Sequence, residues 1–101
     1  MKKYRLSPAA EGDLDDIWNY TAIEWSADQA DRYISHLFDA FARLGDHPGI
    51  GQLKDDIKPG YRRFKCAHHL VFYVLTGEGP VNIARILHEK SDALRHLDPS
   101  E

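Results

Sequence analysis

Pro59-Gly60-Tyr61-Arg62-Arg63-Phe64, His68-His69-Leu70-Val71-Phe72-Tyr73 and Val81-Asn82-Ile83-Ala84-Arg85-Ile86-Leu87-His88-Glu89 together decide the fold of this chain. Each is a short apolar run with cations and imidazoles set among the apolar residues. Such runs read as strands over Tyr61 to Cys66, His69 to Leu75 and Val81 to Leu87. Ala67-His68 and the Thr76 to Pro80 stretch are short enough to be hairpin connections, so the three strands should be antiparallel. Leu70 to Leu75 is apolar on both faces, which marks it as the central strand.

Upstream of this sheet the pattern changes period. Lys3 to Ser7 alternates and reads as a further short strand. Ser7-Pro8 then opens a helix, with Ser7 as N-cap and Pro8 at the first helical position, where a missing N–H costs nothing. Ala10, Leu14, Ile17, Trp18, Thr21 and Trp25 follow at spacings of three and four, and both tryptophans read as core. Glu11 and Asp13 suit the positive pole of this helix. Ser26-Ala27-Asp28-Gln29 is a capping-box pattern that starts a second helix with its stripe on Ala30, Tyr33, Ile34, Leu37, Phe38, Phe41 and Leu44. Gly45 is its expected C-cap. From Asp46 to Gly60 no periodicity stands out, and the stretch reads as a long loop pinned by Ile50, Leu53 and Ile57. Lys90 to Glu101 is polar apart from Leu94 and Leu97, and is expected to fray. The order is β-α-α-β-β-β, one α+β domain over residues 1–101, with an antiparallel helical hairpin packed on a small, mainly antiparallel sheet.

Charge is distributed unevenly around a formal net value of −3. Residues 1–46 hold nine acids against five Lys or Arg, and residues 47–101 hold seven against eight. No acid stands between Lys58 and Tyr73, where four Lys or Arg and two His fall together. That stretch is either a solvated sheet face or a patch for a partner. A pI near 6 argues against broad nucleic-acid affinity, which needs many phosphate contacts. Cys66 is the only cysteine, so no internal disulfide forms, which favours a reducing cytoplasm. With no apolar run long enough to span a bilayer, the expectation is a soluble cytoplasmic protein.

The side chains able to carry chemistry include His68, His69, His88 and His96, and Cys66. Cys66, His68 and His69 alternate faces at one hairpin and converge poorly, so neither a metal nor a cofactor is expected. Nothing in the local sequence fixes a base beside Cys66. Arg63, Arg85, His88 and Glu89 are the right types for an acid–base ribonuclease. However, Arg85 and His88 fall on opposite faces of an alternating strand, so no catalytic residue is expected.

The chain resembles the ParE branch of the RelE/ParE toxins. The resemblance rests on Tyr4-Arg5-Leu6-Ser7-Pro8-Ala9-Ala10, Asp13-Leu14-Asp15-Asp16-Ile17-Trp18, Ala30-Asp31-Arg32-Tyr33, Pro59-Gly60-Tyr61-Arg62-Arg63-Phe64, His69-Leu70-Val71-Phe72-Tyr73 and Ile86-Leu87-His88-Glu89. It implies the same β-α-α-β-β-β fold and a type II toxin that binds and inhibits DNA gyrase. It also implies neutralisation by a ParD-like antitoxin with a DNA-binding N-terminal part and a tail that folds along the toxin. RelE relatives instead cleave mRNA on the ribosome, using cations and a Tyr or His near the C-terminus. Here the last strand ends in the ParE-like His88-Glu89-Lys90-Ser91-Asp92, and no tyrosine follows Tyr73. Under this resemblance the residues expected to meet the target are Arg62, Arg63, Lys65, Arg85, His88 and Glu89. Those expected to meet the antitoxin are Tyr33, Leu37 and Phe41 on the second helix, and Tyr61 and Phe64 on the sheet. The alternative is a ribosome-dependent endoribonuclease of RelE type, and a third reading is a chain that retains only antitoxin binding.

Overall fold

Ser7 is the hinge of the architecture. In the computed structural model, which describes residues 3–91, its hydroxyl accepts the Ala10 amide at 3.0 Å and donates to the Ala84 carbonyl at 2.7 Å. Its own amide reaches the Ile83 carbonyl at 3.0 Å. One residue thus caps a helix and ties its start to the sheet. The strand β1 (Tyr4–Leu6) ends there and the helix α1 (Pro8–Glu24) begins. Ser26 caps the second helix α2 (Ala27–Asp46) by accepting the Gln29 amide at 3.0 Å. The strands β3 (Tyr61–Cys66), β4 (His69–Val74) and β5 (Val81–His88) follow as the sequence predicts.

The sheet has five strands in the order β1-β5-β4-β3-β2, where β2 is Gln52–Leu53 and β4 lies in the middle. β1 pairs with β5 in parallel, and the other pairings are antiparallel. The added strand, β2 (Gln52–Leu53), lies in the stretch read as a loop, after a 3-10 turn over Pro48–Ile50. At two residues it is too short to show a period. It is held in place by Tyr73, whose hydroxyl donates to the Pro48 carbonyl at 2.7 Å and accepts the Gly51 amide at 2.9 Å.

Both helices pack on one face of the sheet. The core there joins Ala10, Leu14 and Ile17 of α1 to Leu37, Phe41 and Leu44 of α2, over Val71, Tyr73, Ile83 and Ile86. A smaller cluster lies on the other face, where Phe72 and Leu87 are covered by Ile57, Tyr61 and Leu70. Two sequence expectations are corrected. Gly45 is inside α2, with His47 at the C-cap; a Cβ at Gly45 would stand 2.7 Å from Lys3 Cβ, so the glycine admits the chain entering β1. Trp25 is not core but follows α1 as its C-cap and is 76% exposed. Trp18 is half-buried and its indole donates to Asp31 at 2.9 Å, joining the two helices. The expectation for Lys90 to Glu101, and that for His96, fall almost wholly outside the described residues.

Candidate functional site

A cleft of about 850 Å³ opens where the tip of the helical hairpin overhangs the sheet. One wall is a single face of α1, made by Asp13, Asp16, Ile17, Tyr20 and Thr21 at helical spacing, and Trp25 closes its end. Gln29 and Tyr33 come from the start of α2, and Ala67 to His69 from the turn between β3 and β4. The opposite wall is the last part of β5, from Arg85 to His88. Tyr20 and Trp25 are well exposed, although both sit beside apolar groups.

Asp13 and Arg85 bind this cleft together at one end. The guanidinium donates from Nε and Nη2 to the two carboxylate oxygens at 2.8 and 2.9 Å, and the Ile86 amide donates to the same carboxylate at 2.9 Å. Both side chains are largely shielded from water. Asp13, expected from the sequence to serve the helix dipole, is thus the anchor of α1 on β5. A signal was available: Asp13 lies three residues after Ala10 and four before Ile17, within the stripe that faces the core. A carboxylate there needs a partner.

At the other end three imidazoles and a phenol meet. Tyr33 Oη lies 2.6 Å from His69 Nδ1 and accepts the His68 amide at 3.2 Å. The His69 and His88 rings meet edge to face at 5.4 Å. Burial, then the neighbouring His88 and His68, push the His69 imidazole down to about 4. Being neutral near pH 7, His69 accepts at Nδ1 and Tyr33 donates. Burial raises the Tyr33 phenol, which keeps it a donor. His88 Nδ1 accepts the Lys90 amide at 3.1 Å. Burial likewise raises the Cys66 thiol, so it is no activated nucleophile. Among the described residues no group of three His, Cys, Asp or Glu is placed to hold a metal.

The remaining sequence candidates divide between the sheet faces. Phe64 and Cys66 join the core under the helices, whereas Tyr61 joins the cluster on the other face. By alternation Arg63 and Lys65 lie with Tyr61, and Arg62 lies on the helical side. Arg62 is engaged at the Gly51 carbonyl (2.8 Å), and Arg63 reaches Gln52 at 3.2 Å. Lys65 pairs with Glu89 at 3.0 Å, and Glu89 also meets His68 at 3.0 Å. The His68 contact, then Lys65, hold the Glu89 carboxyl down to about 2. Leu37 and Phe41 are fully buried in the core, so neither is available to a partner; their stripe is the one that α2 turns to the sheet. Tyr33 and Tyr61 remain partly exposed, with Lys58 5.0 Å from the Tyr61 ring centre. Arg43 stands 5.6 Å from the ring centre of Phe64, which is also partly exposed.

Comparison with known proteins assigns this arrangement. Residues 4–93 match the family model described as ParE toxin of type II toxin-antitoxin system, parDE. The chain belongs to the ParE toxin family. It is 42% identical over 95 residues to Toxin ParE1 of Mycobacterium tuberculosis (strain CDC 1551 / Oshkosh), covering 94% of this chain and 97% of that one. It is 41% identical over 97 residues to Toxin ParE1 of Caulobacter vibrioides, covering 96% and 99%. Toxin ParE of Escherichia coli is 39% identical over 99 residues, with 96% and 94% covered. A solved structure described as the chromosomal ParDE TA system from P. aeruginosa superposes with a TM-score of 0.75 at 18% identity, over 87% of this chain and 96% of that one. The ParE fold is therefore shared, and the chain is the toxin component of a type II toxin–antitoxin system. Among the described residues no helix is long and apolar enough to cross a membrane.

Proposed function

We propose that this ParE toxin acts in the cytoplasm by binding DNA gyrase, without enzymatic activity of its own, and that a ParD-like antitoxin neutralises it. The observation that supports a binding role over RNA cleavage is that the acid–base set is split between the sheet faces and that its cation on the helical side is already engaged. Arg63 is on the sheet face away from the helices, reaching Gln52, while Arg85 is held by Asp13 on the helical side. Against the expectation from strand alternation, His88 lines the same cleft as Arg85, but its ring meets His69 and its Nδ1 is engaged by a backbone amide. With Arg63 on the far face and Arg85 paired to Asp13, these residues do not offer a general base, a general acid and an unengaged phosphate-binding cation together.

The target surface in this reading is the open face of the sheet. Arg63 and Lys65 project there beside Tyr61 and Lys58, in the stretch that carries no acid. Arginine suits such a surface because its planar fork makes several bonds at once. Arg85 contributes by supporting β5, since its guanidinium is directed to Asp13.

Expression in a bacterial host tests the reading. Growth arrest with a DNA-damage response, relieved by co-expression of the protein encoded beside this gene, is the expected result. Position-specific mRNA cleavage in a translating extract, lost in His88→Ala, would replace gyrase binding with ribonuclease action.

A further inference from the structure

The two layers of this fold carry opposite charge. From Pro8 to Asp46 the helical hairpin holds nine acids against two arginines, whereas the rest of the described chain holds nine Lys or Arg against four acids. Both helices lie on one face of the sheet, so this division along the sequence is also a division in space. A polyanion is repelled by the hairpin and drawn to the opposite face.

On that face cations border an apolar centre. Phe72 and Leu87 lie in the middle, closed over by Ile57, Tyr61 and Leu70. Arg63 and Lys65 stand to one side, on β3. On the other side Tyr4 and Leu6 pack on the core, so the exposed Arg5 between them turns to the open face. With β4 and β5 between them, β1 and β3 stand about 14 Å apart across the sheet. Neither Arg5 nor Arg63 has an ion-pair partner among the described residues. Lys65 is well exposed although it reaches Glu89, the acid at this border, which also meets His68.

The kind of partner follows from the state of the apolar centre. A protein partner gains most of its affinity by seating a few side chains in well-packed pockets. Here the centre is already filled, with Phe72 at 0% and Leu87 at 5% exposure. Exposed cations around a closed centre fit a row of phosphates instead, which asks for charge and reach but no socket. We propose that the open face lies against the backbone of the DNA that gyrase holds, with Arg5, Arg63 and Lys65 meeting its phosphates. This rests on the gyrase reading above and says which part of that complex the sheet meets. So few cations, on a chain whose hairpin is acidic, do not hold DNA by themselves. Gyrase supplies the rest by presenting the duplex.

Fluorescently labelled toxin is titrated with gyrase alone and with gyrase carrying a DNA duplex. The wild type is compared with the triple variant Arg5→Gln, Arg63→Gln, Lys65→Gln, its fold confirmed by circular dichroism. Wild-type binding about tenfold or more tighter to the DNA-loaded enzyme, with that gain lost in the triple variant, is the expected result. In parallel, a photoreactive azidophenylalanine in place of Gln52, the side chain that Arg63 reaches, marks what the face touches. Cross-links to the DNA are expected. Cross-links to a gyrase subunit alone, or none in a bound complex, would overturn the proposal. Equal affinity for gyrase with and without DNA, or a gain that the triple variant keeps, would overturn it too and leave gyrase as the target. No binding of the wild type to either form would remove gyrase itself.

Discussion

Asp13 on α1 does for β5 what a neighbouring strand would have done: its carboxylate accepts the Ile86 amide at 2.9 Å while holding Arg85 from two sides. A single acid thereby satisfies an edge amide, neutralises a shielded cation and fixes the helix to the sheet. Removing either partner leaves a charge in a poorly hydrated place, and that loss exceeds the net worth of the pair.

Asp13→Ala is expected to cost about 3 kcal/mol of stability, from the unpaired guanidinium and the unmet Ile86 amide. Arg85→Ala should cost less, because Asp13 keeps the Ile86 amide. In the double variant the loss should fall short of the sum by about 1 kcal/mol or more. Urea midpoints for the three variants measure this; strictly additive losses would mean that the pair contributes little.

Tyr73 anchors the 46–60 stretch through one hydroxyl that serves two backbone groups. Tyr73→Phe keeps the ring in the core and leaves Pro48 O and Gly51 N–H without their partner, at a cost of about 1–3 kcal/mol. At Gly51 a methyl group would overlap Tyr73 Oη and stand 2.7 Å from its Cε1, so Gly51→Ala should displace the segment. Thermal denaturation of both variants, with proteolysis mapped to residues 48–53, provides the check. An unchanged midpoint in Gly51→Ala would show that the approach is not close.

His69 makes the fold sensitive to mild acid. In the unfolded chain its imidazole titrates near 6.5, and in the folded chain it is held down to about 4. Between those values only the unfolded chain takes up the proton, so stability falls as pH drops from about 6.5 toward 4. His69→Gln should flatten the part of the decline between pH 7 and pH 5.5, although it also loses the Tyr33 contact. Urea midpoints at the two pH values, wild type against variant, give the comparison. Parallel losses in both would assign the decline to other groups.

Most of the fold was legible because the helices and three long strands carry strong local signals. Ser7 and Ser26 cap the helices read from them, and the apolar run from Leu70 lies mid-sheet. β2 was not legible, since its position depends on Tyr73, more than twenty residues away. The candidate site was harder for a related reason. Periodicity identifies an apolar stripe but not which of its residues lie beyond the sheet's reach, so Trp25 reads as core, while Leu37 and Phe41, which the family resemblance offers to the antitoxin, are the part of the stripe that the sheet buries. Trp25→Ala is accordingly expected to change stability by less than about 0.5 kcal/mol. A loss of several kcal/mol on denaturation would return Trp25 to a packing role.

The proposed action on gyrase, through the open face of the sheet, is open to direct assay. The measurement is a supercoiling assay with purified gyrase, ATP and relaxed plasmid, in which Arg63→Ala and Lys65→Ala are compared with the wild type at equal concentration after their fold is confirmed by circular dichroism. The expected result is inhibition by the wild type, with cleaved DNA trapped, and inhibition weakened about tenfold or more in Arg63→Ala. Full inhibition by both folded variants would take the sheet cations out of the mechanism, and no inhibition by the wild-type toxin would contradict gyrase as the target.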